Sequence, residues 1–218
     1  MRSREVGAPD IDAIQVNGSM TYVLEYLRYA INGILFHRGV YPAEDFYVEK
    51  RFGLDLLLTI NTSVDDYIEL TLRRMRDWLA EGSVSHMVVV LMDADDGHVV
   101  ERWVFETRIT GPRYGYPSFN HLLNVTFCGS SASPRDDLQM DREMNAVMKD
   151  IISPTYLPTI ENPTVFNILV YAHESTTIPE GWDKTHPHGI EEGENDTLKA
   201  LTTPRHIVSL SVAYRDEE

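Results

Sequence analysis

TVFNILVYAHESTTIPEGWDKTHPHGIEEGENDTLKALTTPRHIVSLSVAYR, residues 164–215, carries the most telling pattern in this chain. Thr164–Ala172 is apolar at both odd and even positions, as in a strand buried on two faces. Arg205–Arg215 alternates instead: His206, Val208, Leu210, Val212 and Tyr214 share one side, with Ser209 and Ser211 on the other. Between them His173–Asp196 is polar and broken by Pro179, Gly181, Pro187, Gly189 and Gly193. A structureless connection this long inside a compact domain is uncommon and tends to be functional or mobile.

Reading outward, Leu138, Met140, Met144, Val147, Met148 and Ile151 predict a helix that ends before Pro154. Thr155–Glu161 reads as a strand. Gly111–Ser133 mixes Gly, Pro, Ser and Asn without a period and reads as a long loop or insertion. Met87–Met92 is a valine-rich run suited to a strand buried on both faces. Asp95-Asp96-Gly97 then predicts a hairpin turn, and His98–Thr107 the returning strand. Tyr67, Ile68, Thr71, Leu72, Met75, Trp78 and Leu79 form the inner face of a helix closed by Gly82, with a capping box at Ser63–Asp66. Phe52–Ile60 reads as a short strand. Met20, Val23, Leu24, Leu27, Ile31, Ile34 and Leu35 make the stripe of another helix, capped by Ser19 and stopped at Gly39 and Pro42. Ile14 and Val16 suggest a further short strand. Trp78 and Trp103 are expected in the core. The sum is an α+β domain over 14–218, a mostly antiparallel sheet with three helices on one face, preceded by a tail at 1–13.

The 218 residues include 43% hydrophobic and 24% charged side chains, enough apolar material for one folded domain. The formal net charge is −15, without a Lys/Arg run, which argues against direct nucleic-acid binding and fits partners rich in basic residues. One cysteine, Cys128, excludes an internal disulfide and a Cys-based zinc knuckle. The start, MRSREVGAPDIDAIQ, lacks the apolar region of a secretory signal, and no run is long enough for a membrane span.

Catalytic motifs are sparse. No glycine-rich phosphate loop and no G-x-S-x-G elbow occurs. His173, His186 and His188, with Glu191, Glu192 and Glu194 nearby, leave open a metal site and a metal-dependent hydrolase, although H-x-H in a Pro/Gly-rich loop equally fits solvated surface. Asp93-Ala-Asp95-Asp96-Gly97 lacks calcium-loop spacing and reads as a turn. Glu101 and Arg102 fall on opposite faces of a strand, so they cannot share a pocket.

The blocks Ile31-Asn-Gly-Ile-Leu-Phe-His-Arg-Gly-Val-Tyr-Pro42, Asp77-Trp-Leu79, Val88-Val-Val90, Glu101-Arg-Trp-Val-Phe105, Pro179-Glu-Gly-Trp182 and Val212-Ala-Tyr214, in this order and spacing, resemble the HORMA-domain family from Ile14 to Tyr214. They look closer to its spindle-assembly checkpoint branch than to the translesion-polymerase or meiotic-axis adaptors, which stay as alternatives. The resemblance implies a conformational adaptor and no enzyme or cofactor. It implies an open and a closed state, with the segment 173–218 as a mobile safety belt and C-terminal strand. In the closed state a partner peptide adds to the sheet edge, which points to Phe166, Ile168, Val170, Trp182, His206, Val208, Leu210 and Tyr214. Ile14 and Val16 would hold an edge in the open state. The partners implied are a kinetochore coiled-coil scaffold, the coactivator of the anaphase-promoting complex, and a checkpoint kinase-related pseudokinase within a mitotic checkpoint complex. An AAA+ remodelling ATPase with its HORMA adaptor is implied as well. The locations implied are nucleus, kinetochore and cytoplasm. Arg38, Lys149, Asp150 and Tyr156 match positions where open and closed copies of the family pair. The last three replace arginine, glutamine and phenylalanine there, and Lys149 and Asp150 equally fit a solvated helix face.

Overall fold

The valine-rich run at the middle of the chain organises the rest. In the computed structural model, which describes residues 18–110, 134–153, 157–190 and 193–215, β3 (Val84–Asp93) and β4 (Val99–Ile109) form the expected hairpin. The Asp93 carboxylate accepts the backbone N–H groups of Asp95 at 2.7 Å and Asp96 at 3.4 Å. Gly97 closes the turn at φ +74°, where a Cβ would be strained. β5 (Thr164–Ala172) pairs with the outer side of β3, and β8 (His206–Tyr214) with the outer side of β4, both antiparallel. β6 (Glu194–Thr197) and β7 (Leu201–Thr202) pair with β8, giving the order β5-β3-β4-β8-β6.

Strand alternation sorts the sheet's side chains. Met87, Val89, Leu91, Trp103, Phe105, Val208, Leu210 and Val212 are buried on one face. Over that face lie α1 (Gly18–His37), α2 (Thr62–Glu81) and α3 (Pro134–Ile152). α1 packs against both other helices through a fully buried stripe that includes Leu27, Ile31 and Leu35. The opposite face holds a smaller apolar group, Val88, Val90, Val99 and Leu169, with Tyr171 and Ile190 packed on it. The helix layer on a mostly antiparallel sheet, expected from the pattern, is thus present.

Several local expectations need correction. The Phe52–Ile60 strand is shorter, β2 (Leu54–Thr59), because Phe52 and Gly53 take left-handed φ values of +53° and +70° and turn the chain. The turn joins β2 to a partner the pattern did not reveal, β1 (Phe46–Arg51). The cap of α2 is Asn61, not Ser63: its side chain accepts the N–H groups of Ser63 and Val64. Gly82 ends α2 as expected, in the left-handed region at φ 67°. Ser19 lies within α1, and its hydroxyl turns to residues of the C-terminal strand. Residues 157–161 form no strand; Pro158 and Pro163 bracket a stretch that lacks a ladder. The short strand at Ile14 and Val16, Cys128, and the insertion at 111–133 fall outside the described residues.

Candidate functional site

β5 is an outer strand of the sheet. Its one ladder among the described residues is with β3, so one row of its backbone groups faces away from any strand. Phe166, Ile168 and Val170 do not point outward along that edge. They turn into the helix layer, where Phe166 stands edge-on to Tyr41 at 6.1 Å and to Tyr67 at 5.7 Å. Their burial fixes the strand on the core, and what the edge itself offers is main chain. The Ile168 N–H belongs to this outer row: it donates to the Tyr67 hydroxyl (3.1 Å) and the Asn167 Oδ1 (2.8 Å) instead of to β3.

The polar segment after β5 passes from one layer of the molecule to the other. His173 N–H donates to the Ser83 carbonyl at 2.8 Å, which holds the start of the segment at the C-terminal end of α2. Trp182 then stands edge-on to Trp78 of α2, ring centres 5.0 Å apart. Five residues later the chain is on the opposite face of the sheet, where the Pro187 carbonyl accepts the Tyr171 hydroxyl at 3.0 Å. Tyr171 is itself clasped by the Arg102 guanidinium (3.0 Å) and by the His86 ring stacked at 4.1 Å. Ile190 continues over the valines of that face. The segment therefore runs beside the β5 edge and ends in β6 on the far side of β8.

β8 is the anchor of that crossing. His206, Val208, Leu210 and Tyr214 are all buried. The Tyr214 hydroxyl donates to the carboxylates of Glu194 (2.9 Å) and Asp196 (3.1 Å), which ties β6 to β8. His206 Nδ1 lies 2.8 Å from the Ser19 Oγ of α1, and that oxygen lies 2.6 Å from the Thr203 hydroxyl. The start of α1 is thus joined to the C-terminal strand by a buried polar cluster. Burial first, and Arg205 second, hold the His206 imidazole below its ordinary pKa. The folded state therefore resists a proton that the unfolded chain accepts. Stability is expected to fall as pH drops below about 6.5, by at most about 1.4 kcal/mol per pH unit for this group. His37 and His86 are shifted the same way, chiefly by burial. Urea titrations from pH 7.5 to pH 5 should thus show a shallower loss, not its abolition, in His206→Gln.

Of the residues expected at an interface between copies, those described differ in exposure. Arg38 is inside: its guanidinium pairs with Glu101 and donates to the Pro158 carbonyl at 2.5 Å, and its side chain is 8% exposed. Lys149 is exposed on α3. The Asp150 carboxylate accepts the Lys199 N–H at 3.1 Å and so holds the link between β6 and β7. Tyr156 lies outside the described residues. Glu101, Trp103 and Phe105 share strand parity, so alternation alone puts Glu101 in the core and demands a cation there; that signal could have found the Arg38 pair.

His173, His186 and His188 do not converge. Among the described residues the one group with three possible ligands in reach is Asp93, Asp96 and His98. Its oxygens already serve the hairpin turn: Asp96 Oδ1 accepts the His98 N–H at 2.9 Å and lies 2.5 Å from its Nδ1. A turn accounts for that group.

Comparison with known proteins places this architecture. The family model described as HORMA domain matches residues 19–214. The human mitotic spindle assembly checkpoint protein MAD2A is 32% identical over 98% of this chain and 95% of its own length. The mitotic spindle checkpoint component mad2 of Schizosaccharomyces pombe is 30% identical over 92% of this chain and 93% of its own. A chain in the crystal structure of the mitotic checkpoint complex superposes with a TM-score of 0.77 at 29% identity, covering 91% of this chain and 99% of that one.

Proposed function

The chain belongs to the HORMA-domain family, alongside its mitotic spindle checkpoint members, and from that premise we propose that it is a checkpoint adaptor that captures short partner peptides on the outer edge of β5 under the segment 173–190. The observation that carries this reading is the pairing of β8 with β4, which among the described residues leaves the β5 edge without a strand while the crossing segment runs alongside it. An extended peptide adding there gains main-chain hydrogen bonds for affinity, and the neighbouring side chains set its specificity. Trp182 on Trp78 and Pro187 on Tyr171 hold the crossing segment on both sides of the edge. The partners proposed are a kinetochore coiled-coil scaffold and the coactivator of the anaphase-promoting complex, which the captured state would inhibit. The pseudokinase of the mitotic checkpoint complex would join that assembly. The closed arrangement would be reopened by an AAA+ ATPase with its HORMA adaptor. Work of this kind is done by binding, without bond chemistry, at the kinetochore and spindle. The net charge of −15 favours peptides that carry basic residues.

Peptides selected by this chain from a random-peptide display library are expected to be rich in aliphatic and basic residues. Adding one should slow proteolysis around Trp182, because the segment cannot leave while it covers a bound strand. Unaltered cleavage with every selected peptide would count decisively against capture beneath this segment.

A further inference from the structure

An exposed strand edge is a hazard, since any extended chain can pair with it. On β5 the hazard is sharpened by apolar surroundings, with Val165 47% exposed and Phe166 half-buried beside it. Yet one outward donor of that edge is already engaged. The Ile168 N–H donates to two side-chain oxygens that reach it from different elements. Tyr67 comes from α2 in the helix layer. Asn167 comes from β5 itself. The two are joined, the Tyr67 hydroxyl donating to the Asn167 Oδ1 at 2.8 Å. The Tyr67 ring packs on Phe166 at 5.7 Å, so its hydroxyl is held in place by the same contact that seats the strand. Burial raises the pKa of that phenol above its ordinary value, which keeps it a protonated donor at neutral pH.

We propose that Tyr67 and Asn167 form an edge cap: they occupy the Ile168 N–H while the site is empty, and a strand that adds to β5 has to displace them. The inference rests on the reading that β5 accepts a strand. It adds a gate to that reading. The carbonyl of an entering strand competes for a donor that is already bonded, so at this position it gains an exchange of hydrogen bonds in place of a new one. Chains that offer little besides backbone are turned away. A partner that also fills side-chain sites beside the edge makes up the difference. The cap thereby acts on rate of entry and on self-association through the edge, more than on the stability of the fold.

The test uses the intact chain and two variants. Tyr67→Phe keeps the ring on Phe166 and removes the hydroxyl; Asn167→Ala removes the second acceptor. Amide hydrogen exchange of the empty protein is read residue by residue. In the double variant Ile168 is expected to exchange roughly tenfold faster than in the wild type, with Val170 and Phe166 unchanged. Display-selected peptides should associate several-fold faster with the double variant. An Ile168 exchange rate equal to wild type in the double variant would overturn the cap, as would unaltered peptide association rates. If selected peptides bind the wild type without protecting the outward amides of β5, the strand-addition reading fails, and the displacement half of this proposal fails with it. Protection of those amides together with unaltered rates in the variants overturns the cap alone.

Discussion

Glu101→Ala is expected to cost about 3–5 kcal/mol of unfolding free energy, the largest loss for any single polar side chain here. Glu101 is 1% exposed and Arg38 is 8% exposed, so neither charge has water to fall back on. The carboxylate answers two buried donors, the Arg38 guanidinium and the Trp103 indole N–H at 3.0 Å. Removing it strands the guanidinium with the Pro158 carbonyl as its one remaining acceptor among the described residues, and leaves the indole without its acceptor. The penalty comes from the orphaned groups more than from the lost attraction. Replacing both charges, in Arg38→Met with Glu101→Leu, should therefore recover much of the loss despite removing more polar contacts. Urea denaturation of the wild type, the single variants and the double variant gives the coupling directly. A Glu101→Ala protein within about 0.5 kcal/mol of wild type would mean that this pair does not hold α1 to the sheet.

The second large effect concerns Trp182. Its ring docks on Trp78 of α2, and no other aromatic contact of the crossing segment reaches the helix layer among the described residues. Losing a half-buried indole and its edge-to-face partner is worth about 2–3 kcal/mol. Trp182 lies in a loop, away from the strand ladders, so most of that loss is expected in the hold on a bound peptide and little in global stability. Trp182→Ala should then release a captured peptide on the order of 50-fold faster, while association slows far less. Trp182→Phe should restore most of the retention, because a ring still meets Trp78. Competition-release kinetics on the wild type and both variants measure this. Release rates equal to wild type in Trp182→Ala would remove Trp182 from any latching role.

The site was only partly legible from the chain. Period-2 alternation at His206–Tyr214 marked a strand with one buried face, and the structure buries His206, Val208, Leu210 and Tyr214 as that pattern requires. The polar run from His173 was likewise visible as a connection between two apolar strands. What alternation could not state is which way Phe166, Ile168 and Val170 serve the site. Their side chains pack in the helix layer, so what β5 turns to its outer edge is backbone. Tyr67 and Asn167 were invisible in this role, since they stand one hundred positions apart and meet at one N–H.

Sequence alone determined the α+β class, three amphipathic helices, the central hairpin and the apolar strands at each end of a polar crossing, because each depends on local periodicity and on turn residues such as Gly97 and Gly82. Tertiary structure decided the rest. It put β8 beside β4 and left β5 at the edge, turned Arg38 inward onto Glu101, and brought Ser19 to His206 across 187 positions. Those choices depend on which strand edge is free and which buried charge needs a partner, and such long-range matches leave no period in the chain.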